Sequence, residues 1–390
     1  MVETNSDPAV RALQATGQKG QAPDPDPSSA GEPQTAGRPK TDGPSQTTTA
    51  GRPKTDGPSQ TTTAGRPKID QSNHTPSIAD AIRVVAALRQ GVTRAFLGKS
   101  DVLDLALSCL LARGHLLIED VPGVGKTTLA QALARSMGGT FRRIQFTADL
   151  MPSDVLGVSV YDQQSDFVFR PGPIFANVVL ADEVNRASPR TQSALLEAMN
   201  EGQVTVDNDT MRLEHPFFVV ATQNPVEHFG TYPLPDSQMD RFTIRTKIGY
   251  PTHEQEQQIL TSHQDRNPSA RLTAVTDPLQ VAMAQDAVVT IHADESLQQY
   301  VLAIVDATRR SNRVAVGVST RGAKAWYQVA KAHALVVGRD FCTPDDFKQT
   351  AMAALAHRLV VATTYETLSE TRKEAQTILA DILEDVPVPV

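Results

Sequence analysis

The chain has 390 residues, 40% of them apolar, and a formal net charge of −7. That length accommodates two folded domains with real cores, while the acidic balance argues against general affinity for nucleic acid. No run of apolar residues is long enough to offer a membrane span, and the opening MVETNSDPAV lacks the charged-then-apolar layout of a signal peptide, so a soluble cytoplasmic protein is expected.

Residues 1–75 read as a disordered tail. They contain no Phe, Tyr or Trp, are rich in Pro, Gly, Ser, Thr and Gln, and set eight Lys plus Arg against eight Asp plus Glu. Such a segment cannot bury enough apolar surface to offset the entropy of ordering it. The stretch AGRPKTDGPSQ from Ala36 recurs from Ala50 and begins again at Ala64, so Gly37, Gly51 and Gly65 mark a fourteen-residue period. A unit that short without an apolar face cannot stack into a solenoid. The balanced charge favours a solvated tether over a binding arm.

Folded structure is expected from Ser77, placed as an N-cap to a helix over 78–88 with Asp80 in its first turn. From 76 to 250, apolar runs alternate with amphipathic stretches, which predicts a parallel sheet between helices. The first run, His115-Leu116-Leu117-Ile118, leads into Asp120-Val121-Pro122-Gly123-Val124-Gly125-Lys126-Thr127-Thr128 and then a helix-compatible stretch over 129–135. This is the layout of a phosphate cradle. Glycines let the backbone curl until N–H groups face one anion, Lys126 adds a mobile positive charge, and the Thr127 hydroxyl can join a magnesium shell. The helix that follows aims its positive end at the same phosphates. The pattern GxxxxGK[ST] asks for glycine at position 120, where this chain has Asp120.

Two polar-tipped hairpins are predicted in the core. One joins 157–162 to 167–170, and the other spans 203–213 with Asp207-Asn208-Asp209 at its tip. Between them Val178-Val179-Leu180-Ala181 ends in Asp182-Glu183. Two acids closing a buried strand need a cationic or wet partner. Magnesium between nucleotide phosphates meets that need, with Asp182 in its shell and Glu183 free to polarise a water. A third run over 217–221 delivers Thr222-Gln223-Asn224 to the same edge, where Asn224 can orient that water. After residue 250 the pattern turns almost wholly helical, with candidates at 254–263, 297–310, 322–337, 344–360 and 366–383. The fold class expected is therefore α/β, followed by a small all-helical domain over 251–390.

The stretches GHLLIEDVPGVGKTTLAQALA, RRIQFTADLMPSDVLGVSVYD, FRPGPIFANVVLADEVNRASPRTQSALLEAMNEGQVTVD and ATQNPVEHFGTYPLPDSQMDRF together resemble the MoxR family of AAA+ ATPases. The resemblance runs from about Ile78 to the C-terminus. It implies a P-loop core over 76–250, a helical lid over 251–390, and ATP with Mg2+ as ligands; Asp120 is a familiar substitute in its first loop position. It also implies a homo-oligomeric ring, usually a hexamer, with each site at a subunit boundary. Arg241 in Asp240-Arg241-Phe242 matches the arginine finger, which would reach the neighbour's nucleotide. Arg321 in Gly317-Val318-Ser319-Thr320-Arg321-Gly322 matches the sensor 2 segment, contacting the nucleotide from the lid of the same subunit. The implied role is chaperone-like remodelling or maturation of client protein complexes, often with a von Willebrand factor A domain partner and sometimes aiding metal or cofactor insertion. In this branch the hairpins face the ring pore or a neighbour; simple sheet extension is the other reading.

Other functions are weighed on particular residues. A nucleic-acid motor calls for a basic hairpin tip, and Asp207-Asn208-Asp209 is acidic. An enhancer-binding activator calls for a GAFTGA loop, which is absent from the sequence. A nucleotide-gated scaffold that hydrolyses slowly conflicts with an intact Asp182-Glu183 and Arg241. Arg241 in a plain salt bridge is the bland alternative for that residue. Cys109 and Cys342 are separate thiols without metal spacing, and the nine histidines form no HExxH array, so no zinc site is expected.

Overall fold

The computed structural model describes residues 77–161, 167–206, 209–224, 232–262, 268–363 and 367–389. The repeat-bearing tail over 1–75, Asp162 and the Asp207-Asn208 tip lie outside the described residues.

In chain order the first region comprises α1 (Ile78–Thr93), α2 (Ser100–Leu111), β1 (Leu116–Glu119), α3 (Lys126–Ser136), β2 (Phe141–Gln145) and α4 (Pro152–Leu156). It continues with β3 (Gly157–Tyr161), β4 (Phe167–Pro171), β5 (Val178–Asp182), α5 (Pro189–Glu201), β6 (Gln203–Val206), β7 (Asp209–Arg212), β8 (Phe218–Gln223), α6 (Asp236–Met239) and β9 (Ile244–Thr246). Five strands form one parallel sheet in the order β2-β5-β8-β1-β9. Parallel strands covered on both faces read as continuous apolar runs, which is why 116–118, 178–181 and 218–221 carry almost no polar residue.

The pleat divides those runs between two cores. Leu116, Ile118, Val178, Leu180, Phe218 and Val220 pack with α1, α2 and α3, whereas Leu117, Val179, Ala181, Val219 and Ala221 pack with α5. Each fully buried leucine among them contributes roughly 1.5–3 kcal/mol relative to exposure. Helix α5 is delimited by local chemistry. Ser188 accepts from Thr191 N, Pro189 occupies the first turn, and Gly202 ends the helix in the left-handed region at φ 62.

The two hairpins form as the alternation predicts, β3 with β4 and β6 with β7, each as a separate antiparallel pair. At the base of the first, Gly157 has φ 105, and a Cβ there would lie 2.4 Å from the Arg170 carbonyl and 2.6 Å from Gly172 N. Neither obstacle is a side chain that can swing away. Gly157→Ala should therefore cost about 1–3 kcal/mol, read as a lowered midpoint in denaturant unfolding.

The second region comprises α7 (His253–Ser262), α8 (Pro278–Thr290), α9 (Glu295–Arg310), β10 (Val314–Val316), α10 (Thr320–Val336), α11 (Pro344–Leu355), β11 (Val360–Val361) and α12 (Leu368–Asp385). Four departures from the sequence reading stand out. The region is not all-helical, because β10 and β11 pair in an antiparallel ribbon. The helix expected over 344–360 stops at Leu355, where a short 3-10 turn, Ala356–Arg358, carries Arg358 into a buried ion pair. Helix α8 was not anticipated, although Asp277 caps it by accepting from Gln280 N at 2.9 Å and Pro278 follows at its first position. Ser77 precedes α1 as expected but makes no side-chain capping bond.

The helical region lies along β9. Helix α11 packs on that strand, and Arg372 of α12 stands 3.0 Å from Glu119 at the end of β1. Covering the edge strand in this way removes an open hydrogen-bonding margin. Among the described residues no helix is long and apolar enough to cross a membrane.

Candidate active site

Parallel pairing sends the carboxyl ends of β1, β5 and β8 to one edge of the sheet, bringing together the loop after β1, Asp182-Glu183 and the Thr222-Gln223-Asn224 segment. Ligands of open α/β sheets bind at that edge.

The loop owes its shape to backbone freedom. Gly123 and Gly125 have φ 88 and 99, and Gly125 is the residue from which α3 starts. Nothing lies within 4 Å of a Cβ built on Gly123, so glycine is required there by conformation and not by crowding. Val124 is buried while Val121, Pro122 and Gly123 remain accessible. Lys126, Thr127 and Thr128 occupy the first turn of α3, half-buried beside the helix's positive end. The Lys126 amine donates to the Asp120 carbonyl at 2.6 Å. Burial lowers its pKa, and Asp182, Asp120 and Glu183 oppose that fall.

Asp120 takes the place of the expected glycine for a reason the sequence did not reveal. Its Oδ1 accepts from Val121 N at 2.8 Å, and its Oδ2 accepts from Ile248 N at 2.8 Å and Gly249 N at 2.6 Å. The carboxylate braces the loop against the segment after β9, and its charge is engaged by backbone donors. Within the loop residues proposed to bind nucleotide, its side chain thus acts as a brace.

The two acids sit in a polar network. Asp182 Oδ1 accepts from the Thr222 hydroxyl at 2.5 Å, and its Oδ2 accepts from Arg143 Nη2 at 2.5 Å. Glu183 donates its own N–H to Thr222 Oγ1 at 2.9 Å, while its Oε2 accepts from Gln145 Nε2 and pairs with Arg186 Nε, both at 3.0 Å. Glu183 also has φ 59. For a residue with a Cβ this left-handed conformation costs on the order of 1 kcal/mol, and such strain concentrates at functional positions. Asn224 follows β8 directly and is half-buried at this edge.

Arg143, Gln145 and Arg186 were not foreseen at the site, and Thr222, expected at this edge, has no role in the sequence reading. Arg143 and Gln145 lie on β2, whose pairing with β5 sets Gln145 opposite Asp182. Strand order is a long-range property, and no local pattern in 141–145 announces it. The Asp182 carboxylate and the Thr127 hydroxyl are hard oxygen donors of the kind magnesium takes together with substrate phosphates, so the residues present fit that ion.

The two arginines singled out in the sequence are elsewhere. Arg241 Nη1 donates to the Leu196 carbonyl at 3.1 Å, and Arg321 Nη2 donates to Asn200 Oδ1. Leu196 and Asn200 are one turn apart on α5, so both guanidiniums line one stretch of that helix. Its carboxyl end is fixed at the amino edge of the sheet by His115, which precedes β1. His115 Nε2 lies 3.0 Å from the Met199 carbonyl, and its Nδ1 accepts from Val219 N at 3.1 Å. Burial lowers that imidazole to about 4, which keeps it neutral in this role. The length of β1, roughly 13 Å at 3.3 Å per residue, separates this edge from Lys126. The resemblance implies that Arg321 contacts the nucleotide of its own subunit; in this structure its helix start is docked on α5, at the opposite end of the sheet from the same chain's loop.

Comparison with known proteins follows the same division. Residues 115–244 match the ATPase family associated with various cellular activities (AAA), and residues 306–382 match the AAA lid domain. The chain is 47% identical over 302 residues to the uncharacterized protein YeaC of Bacillus subtilis, covering 77% of this chain and 93% of that one. It is 38% identical over 308 residues to Chaperone MoxR1 of Mycobacterium tuberculosis, covering 76% of this chain and 80% of the relative. A crystal structure of a provisionally assigned ATPase from Cytophaga hutchinsonii superposes with a TM-score of 0.72 at 35% identity, covering 80% of this chain and 97% of that one.

Proposed function

Given that the chain belongs to the MoxR family of AAA+ ATPases, we propose that it hydrolyses ATP at sites shared between subunits of a ring and uses the resulting lid movement to remodel client proteins. The observation carrying this reading is the separation of parts. The phosphate loop and Asp182-Glu183 occupy one edge of the sheet, while Arg241 and Arg321 flank α5 at the other. A single subunit does not bring these groups together, whereas a head-to-tail neighbour would, and head-to-tail contacts form a ring when the rotation between subunits closes.

In this reading the loop from Asp120 to Thr128 holds the phosphates through its backbone N–H groups and Lys126. Thr127 and Asp182 hold Mg2+, which neutralises phosphate charge when bound. Glu183 takes the proton of the attacking water, Asn224 orients that water, and Arg241 from the neighbour stabilises the charge that develops on the phosphoryl oxygens. Arg321 acts from the neighbour too, since it lies one helical turn from Arg241 along α5.

The client-directed part of the reading is supported by the name of the Mycobacterium relative, a chaperone, and by the surface of the first hairpin. Val158, Tyr161 and Val168 are exposed there, which suits a surface that grips protein segments. A hexameric ring, a von Willebrand factor A domain partner and a cytoplasmic site of action belong to the same proposal.

Lys126→Ala tests the nucleotide site directly. Losing one charge-assisted contact to phosphate, worth about 1.5–3 kcal/mol, should weaken ATP binding about 10- to 100-fold in an equilibrium titration. Unchanged affinity would remove Lys126 from the cradle.

A further inference from the structure

Arg358 belongs to the lid, yet its side chain is 2% exposed and lies against the segment that carries Arg241. Its Nη1 donates to Asp240 Oδ1 at 2.9 Å, and its Nη2 donates to the Phe242 carbonyl at 2.7 Å. The preceding His357 places Nε2 2.9 Å from that same carbonyl. The residues on both sides of Arg241 are thus held by one lid turn, while Arg241 itself stays half-buried.

The start of α10 meets the same side chain. A Cβ on Gly322, the residue after Arg321, would lie 3.0 Å from Arg358 Cδ and Nη1, so a side chain there would press on it. Arg358 therefore sits between the segments bearing the two arginines offered to the neighbour. Burial lowers its pKa to about 10, opposed chiefly by Asp240, which leaves it charged at neutral pH. A buried charge with a carboxylate partner is a poor choice for packing alone, since an apolar side chain would fill the space at no desolvation cost. The lid also reaches the other edge of the sheet. Arg372 of α12 stands 3.0 Å from Glu119, a 2% exposed carboxylate one residue before Asp120.

We propose that Arg358 is a positioning residue for Arg241: through Asp240 and the Phe242 carbonyl it makes the finger move with its own subunit's lid, so that one subunit's lid sets hydrolysis at the next subunit's site. This rests on the shared-site reading above. The lid, joined at once to the strand feeding its own phosphate loop and to the finger segment, is the element through which one site informs the next.

The test is a mixing experiment with three finger donors that cannot bind ATP well themselves: Lys126→Ala, Lys126→Ala/Arg358→Gln and Lys126→Ala/Asp240→Asn. Each is mixed with Arg241→Ala chains, whose phosphate loops are intact, and the kcat and KM for ATP are measured. Lys126→Ala should restore hydrolysis. The two double variants should restore at least about tenfold less, in kcat and not in KM, because a displaced guanidinium loses transition-state contact and not substrate binding. Asp240→Asn is nearly isosteric and leaves the Arg358 contact to Phe242 in place, so it decides the matter if Arg358→Gln fails to fold. Full rescue by the Lys126→Ala/Asp240→Asn donor would overturn the positioning role while leaving the shared site standing. Failure of Lys126→Ala itself to rescue would instead overturn the shared site, and the positioning role with it.

Discussion

Arg241→Ala is expected to lower kcat by about 10³-fold or more while leaving ATP binding nearly unchanged, the range arginine fingers supply in phosphoryl transfer. The geometry sets both halves of this expectation. Arg241 bonds to the Leu196 carbonyl near the amino edge of the sheet, at the other end from its own phosphate loop, so its removal should leave the loop, Lys126 and Asp182 intact. In the proposed shared site, what is lost is a guanidinium fork that would reach the neighbour's nucleotide and meet charge that grows only in the transition state. Turnover assays beside nucleotide titration check the split between kcat and affinity. A variant that hydrolyses normally would leave Arg241 as no more than a backbone tie on α5.

Glu183→Gln is expected to bind ATP at close to the parental affinity and to turn over about 10² to 10⁴ times more slowly, the usual worth of a general base. The substitution keeps size and hydrogen-bonding reach, so the contact to Gln145 survives in altered polarity and only the pairing with Arg186 loses its charge. Its backbone is already held in the left-handed region, anchored by the bond from its N–H to Thr222. A residue held in a costly conformation beside Asp182 fits the proposed role in chemistry, since such strain concentrates at functional positions. Single-turnover measurement of bound ATP decides between a slowed base-deficient enzyme and an unaltered one. Unaltered turnover would move the base elsewhere and favour the slow scaffold.

The meeting of the loop, Asp182-Glu183 and Thr222-Gln223-Asn224 at one edge was legible in the sequence because its signals are local. Four-residue apolar runs ending in charged or amide residues, and glycines two apart before a lysine, follow from what a buried strand and an anion-binding loop require of neighbouring positions. The brace made by Asp120 was not legible, since its partners Ile248 and Gly249 follow the neighbouring strand β9 and lie far along the chain. The same holds for Arg143 and Gln145, which meet the acids only because β2 happens to flank β5. The docking of Arg321 on α5 was hidden for a related reason: a helix start says nothing about which end of the sheet it docks on. The ribbon of β10 and β11 has three residues and two, too short for any alternation to register. Arg358 was hidden inside a run that reads as helix up to Val360, and its burial against Asp240 and Phe242 is a tertiary contact that no local pattern announces.

The separation of the loop from the two arginines carries the whole account, and specific ATPase activity measured across a range of protein concentration tests it most directly. Activity per subunit should climb as chains assemble and then level off if, as proposed, each site is completed by a neighbour. Activity per subunit that stays constant at high dilution would contradict this, since a single chain would then hold every group that hydrolysis needs.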